Sequence, residues 1–117
     1  MKHSNSNRTL GRSRSQRTAL MRGLAVSLIR DGQITTTLAK AKELQPQIER
    51  LVTHAKTDSV QARRLVASRL GEPTSTTITK LFKDVAPKFA ERNGGYTRVV
   101  KLGQTSGREE AVIAFVE

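Results

Sequence analysis

The sequence predicts an α+β fold: about four helices packed on a small three-stranded sheet, with an extended basic N-terminal arm. Three observations carry this. Four stretches repeat apolar residues at helical spacing, three short stretches are β-branched or alternate, and the first 19 residues hold a single Leu, Ile, Val or Phe, namely Leu10. The 117 residues suit one domain, and 28 of them are Leu, Ile, Val or Phe, enough for a modest core. We expect an arm over residues 1–12 and a single domain over residues 13–117.

Each element has a local reason. Ser13, with Gln16 three residues on, fits a capping box that starts a helix near Arg14. Leu20, Met21, Leu24, Ala25, Leu28 and Ile29 form its apolar face. Arg22 and Arg30 fall off that face. Arg17 projects near Leu20 and Leu24, so either it snorkels from the first turn or the regular helix begins later. Asp31-Gly32 ends the helix, with Gly32 suited to a left-handed cap. Gln33–Thr37 (QITTT) reads as a strand, and Thr37 can cap the next helix. There Ala41, Leu44, Ile48, Leu51, Val52 and Ala55 keep their spacing through Pro46, which favours one kinked helix over two.

Asp58 with Gln61 marks a third helix start, with a face of Ala62, Leu65, Val66 and Leu70 and a stop at Gly71 and Pro73. Thr74 to Thr77 form a polar joint and supply a cap for a fourth helix containing Ile78, Leu81, Phe82 and Val85. Pro87 interrupts it and leaves Phe89 to an extra turn. Asn93-Gly94-Gly95 signals a turn into a strand over Tyr96–Leu102. Thr97, Val99 and Lys101 share one face of that strand, and Arg98, Val100 and Leu102 the other. A polar loop, Gly103–Glu110, leads to the last strand, Ala111–Val116, as an antiparallel hairpin.

Formal net charge is +11, and residues 1–30 carry seven Lys or Arg and no acid. Such an excess self-repels unless a polyanion neutralises it, with nucleic acid the first candidate and an anionic membrane surface the second. The apolar face of the first helix is needed for the core, which speaks against the membrane. Arg8, Arg12, Arg14, Arg17 and Arg22 stand among Ser, Thr and Asn, and guanidinium forks match phosphate oxygens. The alternative is a solvated disordered tail, but an ordinary solvated surface mixes charge signs. Three Phe and one Tyr are too few for base-stacking platforms, so binding through phosphate, sugar hydroxyl and shape is expected, as on structured RNA.

Arg63 and Arg64, with Lys56 before and Arg69 after, suit either a second basic contact patch or a solvated helix face. Tyr96-Thr97-Arg98 invites comparison with small basic ribonucleases, yet Tyr96 reads better as a packed residue with Arg98 reaching outward. His3 and His54 have no partners at metal-ligand spacing, and there is no cysteine. Glu109 and Glu110 are adjacent in a loop, and Gly94-Gly95 precedes a strand, so neither an acid–base pair nor a phosphate cradle is expected. No stretch reaches the ~18 apolar residues of a membrane span, and no signal-peptide run opens the chain. We expect a soluble intracellular protein with no cofactor, no metal and no small-molecule substrate.

Several motifs together resemble the bacterial large-ribosomal-subunit protein seventeen family. They are ITTTLAKAKEL (residues 34–44), AKTDSVQARRL (55–65) and KLFKDVAPKFAERNGGYTRVVKLG (80–103). Met1-Lys2-His3 and the pattern Arg8-x-Leu10-x-Arg12 also fit, so the likeness runs along nearly the whole chain. The resemblance implies an RNA-binding structural protein of the large subunit, near the peptide exit tunnel, beside other ribosomal proteins, with no catalytic residues and no cofactor. The cytoplasmic ribosome is the expected location, with an organellar ribosome left open. The expected RNA contacts are Lys2, Arg8, Arg12, Arg14 and Arg17, continued along the first helix by Arg22 and Arg30, with Arg63, Arg64, Arg98 and Lys101 as further candidates. A nucleic-acid binder outside the ribosome is the alternative, and a small basic ribonuclease the remote one.

Overall fold

Ser13 closes the predicted capping box. Its hydroxyl accepts from the amide of Gln16 at 3.3 Å, and its own amide donates to Gln16 Oε1 at 3.1 Å. The structure, a computed structural model, describes residues 13–105 and 107–116, so the arm expected over residues 1–12, with Lys2, Arg8 and Arg12, lies outside the described residues. From this cap α1 runs over Arg14–Asp31 and buries Met21, Ala25, Leu28 and Ile29. The amide of Arg17 donates to Ser13 O at 2.9 Å, so the helix is regular from its first turn and does not begin late. Arg17, in the first turns of α1, is half-buried and lines a cleft towards α2. Gly32 then takes φ 83° and returns its amide to Leu28 O, a conformation that costs a residue with a Cβ.

β1 (Gln33–Thr37) follows directly, and Thr37 caps α2 (Leu38–Ala55) by accepting from the amide of Lys40. α2 is one helix through Pro46, and it buries all six expected apolar residues together with Glu43. α3 (Val60–Arg69) starts one residue later than the Asp58–Gln61 pair suggests: Ser59, not Asp58, accepts from the amide of Ala62. Asp58 instead takes Arg63 Nε at 2.7 Å and Lys83 Nζ at 3.1 Å. At the other end of α3, Gly71 N reaches Ser68 O and Glu72 N reaches Ala67 O, the paired bonds of a Schellman stop.

α4 is shorter than expected, Ser75–Lys80, and Thr74 occupies its cap position without a side-chain cap bond. The chain continues as a π-helical turn over Leu81–Val85 and a 3-10 turn over Ala86–Phe89. Pro87 has no N–H to give and its ring crowds the preceding turn, which widens so that Ala86 N reaches Leu81 O. Phe82, Val85, Ala86 and Phe89 are buried by this manoeuvre.

β2 (Thr97–Thr105) and β3 (Arg108–Phe115) form the expected hairpin, but the loop expected over residues 103–110 is mostly strand. Gly103 pairs with Glu110, Gln104 with Glu109 and Thr105 with Arg108, after a register shift between Lys101 and Gly103. Backbone pairing extends through polar sequence here because both faces at the hairpin tip are solvated. The strand order β1-β3-β2, antiparallel throughout, puts the last strand in the centre, where Ala111 and Ile113 are fully buried. α2 packs across one face of the sheet.

Polar side chains of α2 fasten the Asn-Gly-Gly-Tyr-Thr turn. Glu49 accepts from Gly95 N at 3.0 Å, Thr97 N at 3.0 Å and Thr97 Oγ1 at 2.8 Å. Gln45 Nε2 donates to Thr97 O, and Lys56 Nζ donates to Arg92 O. Thr53 Oγ1 and Lys56 Nζ both reach the Tyr96 hydroxyl, at 3.2 and 3.3 Å. Residues 45, 49 and 53 share one stripe of the helix and the C-cap residue Lys56 continues it, so a single face clasps the start of β2.

Candidate nucleic-acid interface

The basic character of α1 becomes three-dimensional where it meets α2 and the end of α3. Arg14, Arg17 and Arg22 lie three to five residues apart and line one side of a cleft of about 470 Å³. Arg50 of α2 and Arg69 of α3 line the rest, and Glu43, only 7% exposed, is the one acid among the lining side chains. Sequence reasoning passed over Arg50 and placed Arg69 only in a patch on α3. The available signal was Arg50 lying seven residues, two helical turns, after Glu43 on α2.

Arg22 fixes one wall. Its Nε donates to Arg69 O at 3.2 Å and its Nη2 to Ser68 O at 3.4 Å, so a guanidinium sits on the last carbonyls of α3, where the helix dipole favours a cation. Gly71 permits this: a Cβ there would lie 2.9 Å from Arg22 Cδ.

The remaining candidates are dispersed. Arg30 forms a two-pronged pair with its neighbour Asp31 at 2.9 and 3.0 Å, which holds the Asp31 carboxyl below its ordinary range. Arg63 is held by Asp58 and lies over the Phe82 ring at 5.1 Å. Arg64 is exposed on α3. Lys56 belongs to the clasp, so the basic residues of α3 and its flanks do not share a surface. Arg98 points from the outer face of the sheet, beside Val100 and Leu102, which are 47% and 52% exposed. With Lys80 and Lys88 it lines a second, wider cleft that also contains Asp31 and Asp84. Lys101 is exposed next to the register shift of β2.

Tyr96 and Arg98 share no site. Tyr96 is 1% exposed under α2, its phenol pulled below its ordinary pKa by the Thr53 hydrogen bond and then by Lys56, against the opposing effect of burial. Among the described residues, no group of three or more His, Cys, Asp or Glu is placed to hold a metal, and no helix is long and apolar enough to cross a membrane.

The family model described as Ribosomal protein L17 matches residues 20–117. The chain belongs to the ribosomal protein L17 family. Family members are structural components rather than enzymes. Among curated relatives, the large ribosomal subunit protein bL17 of Persephonella marina is 46% identical over 117 residues, all of this chain and 94% of the relative. That of Gemmatimonas aurantiaca is 48% identical over 107 residues, covering 92% and 89% of the two chains. That of Campylobacter jejuni is 44% identical over 117 residues, covering 100% and 97%. The arginine-rich stretch before residue 20 lies outside the family-model match but inside two of these alignments.

Proposed function

We propose that this chain is a structural constituent of the large ribosomal subunit, binding large-subunit ribosomal RNA through its basic arm and α1, near the peptide exit tunnel and beside other ribosomal proteins. Membership of the L17 family and the relatives' designation as large-subunit proteins support the assembly. The observation that carries the RNA contact is the absence of any acid before Asp31 together with the gathering of Arg14, Arg17 and Arg22 on one side of α1. Guanidinium groups so placed suit phosphate oxygens, and the Ser- and Thr-rich surroundings add neutral donors. Residues 1–12 act as an arm and residues 13–117 as the single domain that presents it. The ribosome in question is that of the cytoplasm or of an organelle.

The test is deletion of residues 1–12. Affinity for large-subunit RNA falls strongly while thermal unfolding changes little, because the core described above does not depend on the arm. If about six phosphates are neutralised, the log–log salt slope of the intact chain is roughly −4 to −5. Equal RNA affinity with and without the arm would refute its role. Loss of the protein from subunits sedimented in high salt would favour a binder that acts outside the ribosome.

A further inference from the structure

We infer that the cleft between α1, α2 and the end of α3 is a clamp for the RNA sugar–phosphate backbone in which Arg50 and Arg69 are contact residues. The inference rests on the RNA-binding reading above and moves part of the binding surface from the arm to the folded body. Among the described residues, five guanidinium groups from three helices line about 470 Å³, with Glu43 as the single acid.

Several other cations of the body are committed within it. Arg30 and Arg63 are paired with carboxylates, Lys80 donates to Arg30 O, Lys83 to Asp58, and Arg92 to Gly95 O. Arg50 and Arg69 are exposed, and their side chains make no hydrogen bond or ion pair among the described residues. Two uncommitted guanidiniums are thus held close to the α1 arginines, where like charges repel unless an anion enters.

Among the described residues, no aromatic side chain lines the cleft, so it offers little for base stacking and suits the backbone. The anchoring of Arg22 on Ser68 O and Arg69 O ties α1 to α3 and holds the two walls together. Walls on separate helices favour a folded RNA, in which backbone strands approach one another, over an isolated single strand.

The experiment uses the full chain and purified large-subunit ribosomal RNA, with affinity measured as a function of salt. Three proteins are compared: wild type, Arg50→Ala with Arg69→Ala, and a charge-matched control, Lys42→Ala with Arg108→Ala, both exposed and outside both clefts. The cleft variant is expected to lose about tenfold or more in affinity and about 1.5 units of salt slope, since each phosphate contact contributes about 0.7–0.9. The control stays within about threefold, and thermal unfolding of all three coincides, because neither cleft arginine's side chain makes a described bond and the Arg22 bond to Arg69 O uses only the backbone. Replacing both arginines by Lys restores salt slope more fully than affinity, as loss of the planar fork requires. The same cleft substitutions weaken binding of a chain lacking residues 1–12, which separates the clamp from the arm. Equal binding by the cleft variant and the control would overturn the clamp. Competition by polyglutamate as effective as by RNA of equal charge would also overturn it, pointing to an acidic protein segment. If wild type itself does not bind the RNA, the functional reading fails and the clamp with it.

Discussion

Replacing Glu49 by Ala tests the clasp that positions β2. The carboxylate accepts three hydrogen bonds at 2.8–3.0 Å, two of them from Thr97, which is itself buried. Hydrogen bonds to a charged acceptor are worth about 1.5–3 kcal/mol each, and a buried donor left unpaired costs about 1–3 kcal/mol. Gly95 is exposed and its amide can turn to water, so the Thr97 amide and hydroxyl dominate. The expected loss for Glu49→Ala is therefore about 3 kcal/mol, with Glu49→Gln losing about half because the acceptor oxygen remains without its charge. At this chain length that corresponds to a fall in Tm of roughly 12 °C for the Ala variant. Urea denaturation followed by circular dichroism gives the energy, and hydrogen exchange locates it: protection of the Thr97 amide should drop while that of Ile48, inside α2, falls only to the new global limit. A Glu49→Ala protein within about 0.5 kcal/mol of wild type would refute the reasoning, since that is the range of surface substitutions without such a role.

Two further perturbations probe other junctions. Asp58 is held at about 2, below the usual 3.8, by its hydrogen bonds from Arg63 and then Lys83. Its stabilising effect is present above the ordinary value and is lost as pH falls from about 4 to about 2, so Asp58→Asn should flatten that part of an acid-unfolding curve. An unchanged curve would contradict the pairing. Gly71→Ala places a Cβ 2.9 Å from Arg22 Cδ at φ +78°, and the left-handed backbone alone costs about 1–2 kcal/mol in chemical denaturation. Wild-type stability in that variant would contradict the left-handed conformation at Gly71.

Much of the fold was legible because its determinants are local. The Ser13–Gln16 box, the Gly32 cap, the Thr37 cap and the six buried positions of α2 are relations between residues a few positions apart. The errors occurred where two local solutions compete. Ser59 and Asp58 are both good caps, and Asp58 is drawn off by Arg63 and Lys83, the latter 25 residues away. The hairpin was expected to open at Gly103 because polar residues mark loops, yet cross-strand bonds need no apolar side chains.

The sequence by itself determined the order and type of the helices and strands, though not all their ends, and the excess of positive charge before residue 31, since periodicity and composition report which way each segment faces. Only the tertiary structure decided which faces meet. Glu49 lies 46 residues from Gly95, and Arg22 is 47 from Arg69, so the clasp and the arginine cleft exist because packed helices cancel those separations. Spacing along a chain shows a side chain's neighbours on its own helix. Convergence of Arg50 and Arg69 with the α1 arginines depends on how three buried apolar faces fit together, and that is a property of the packed core.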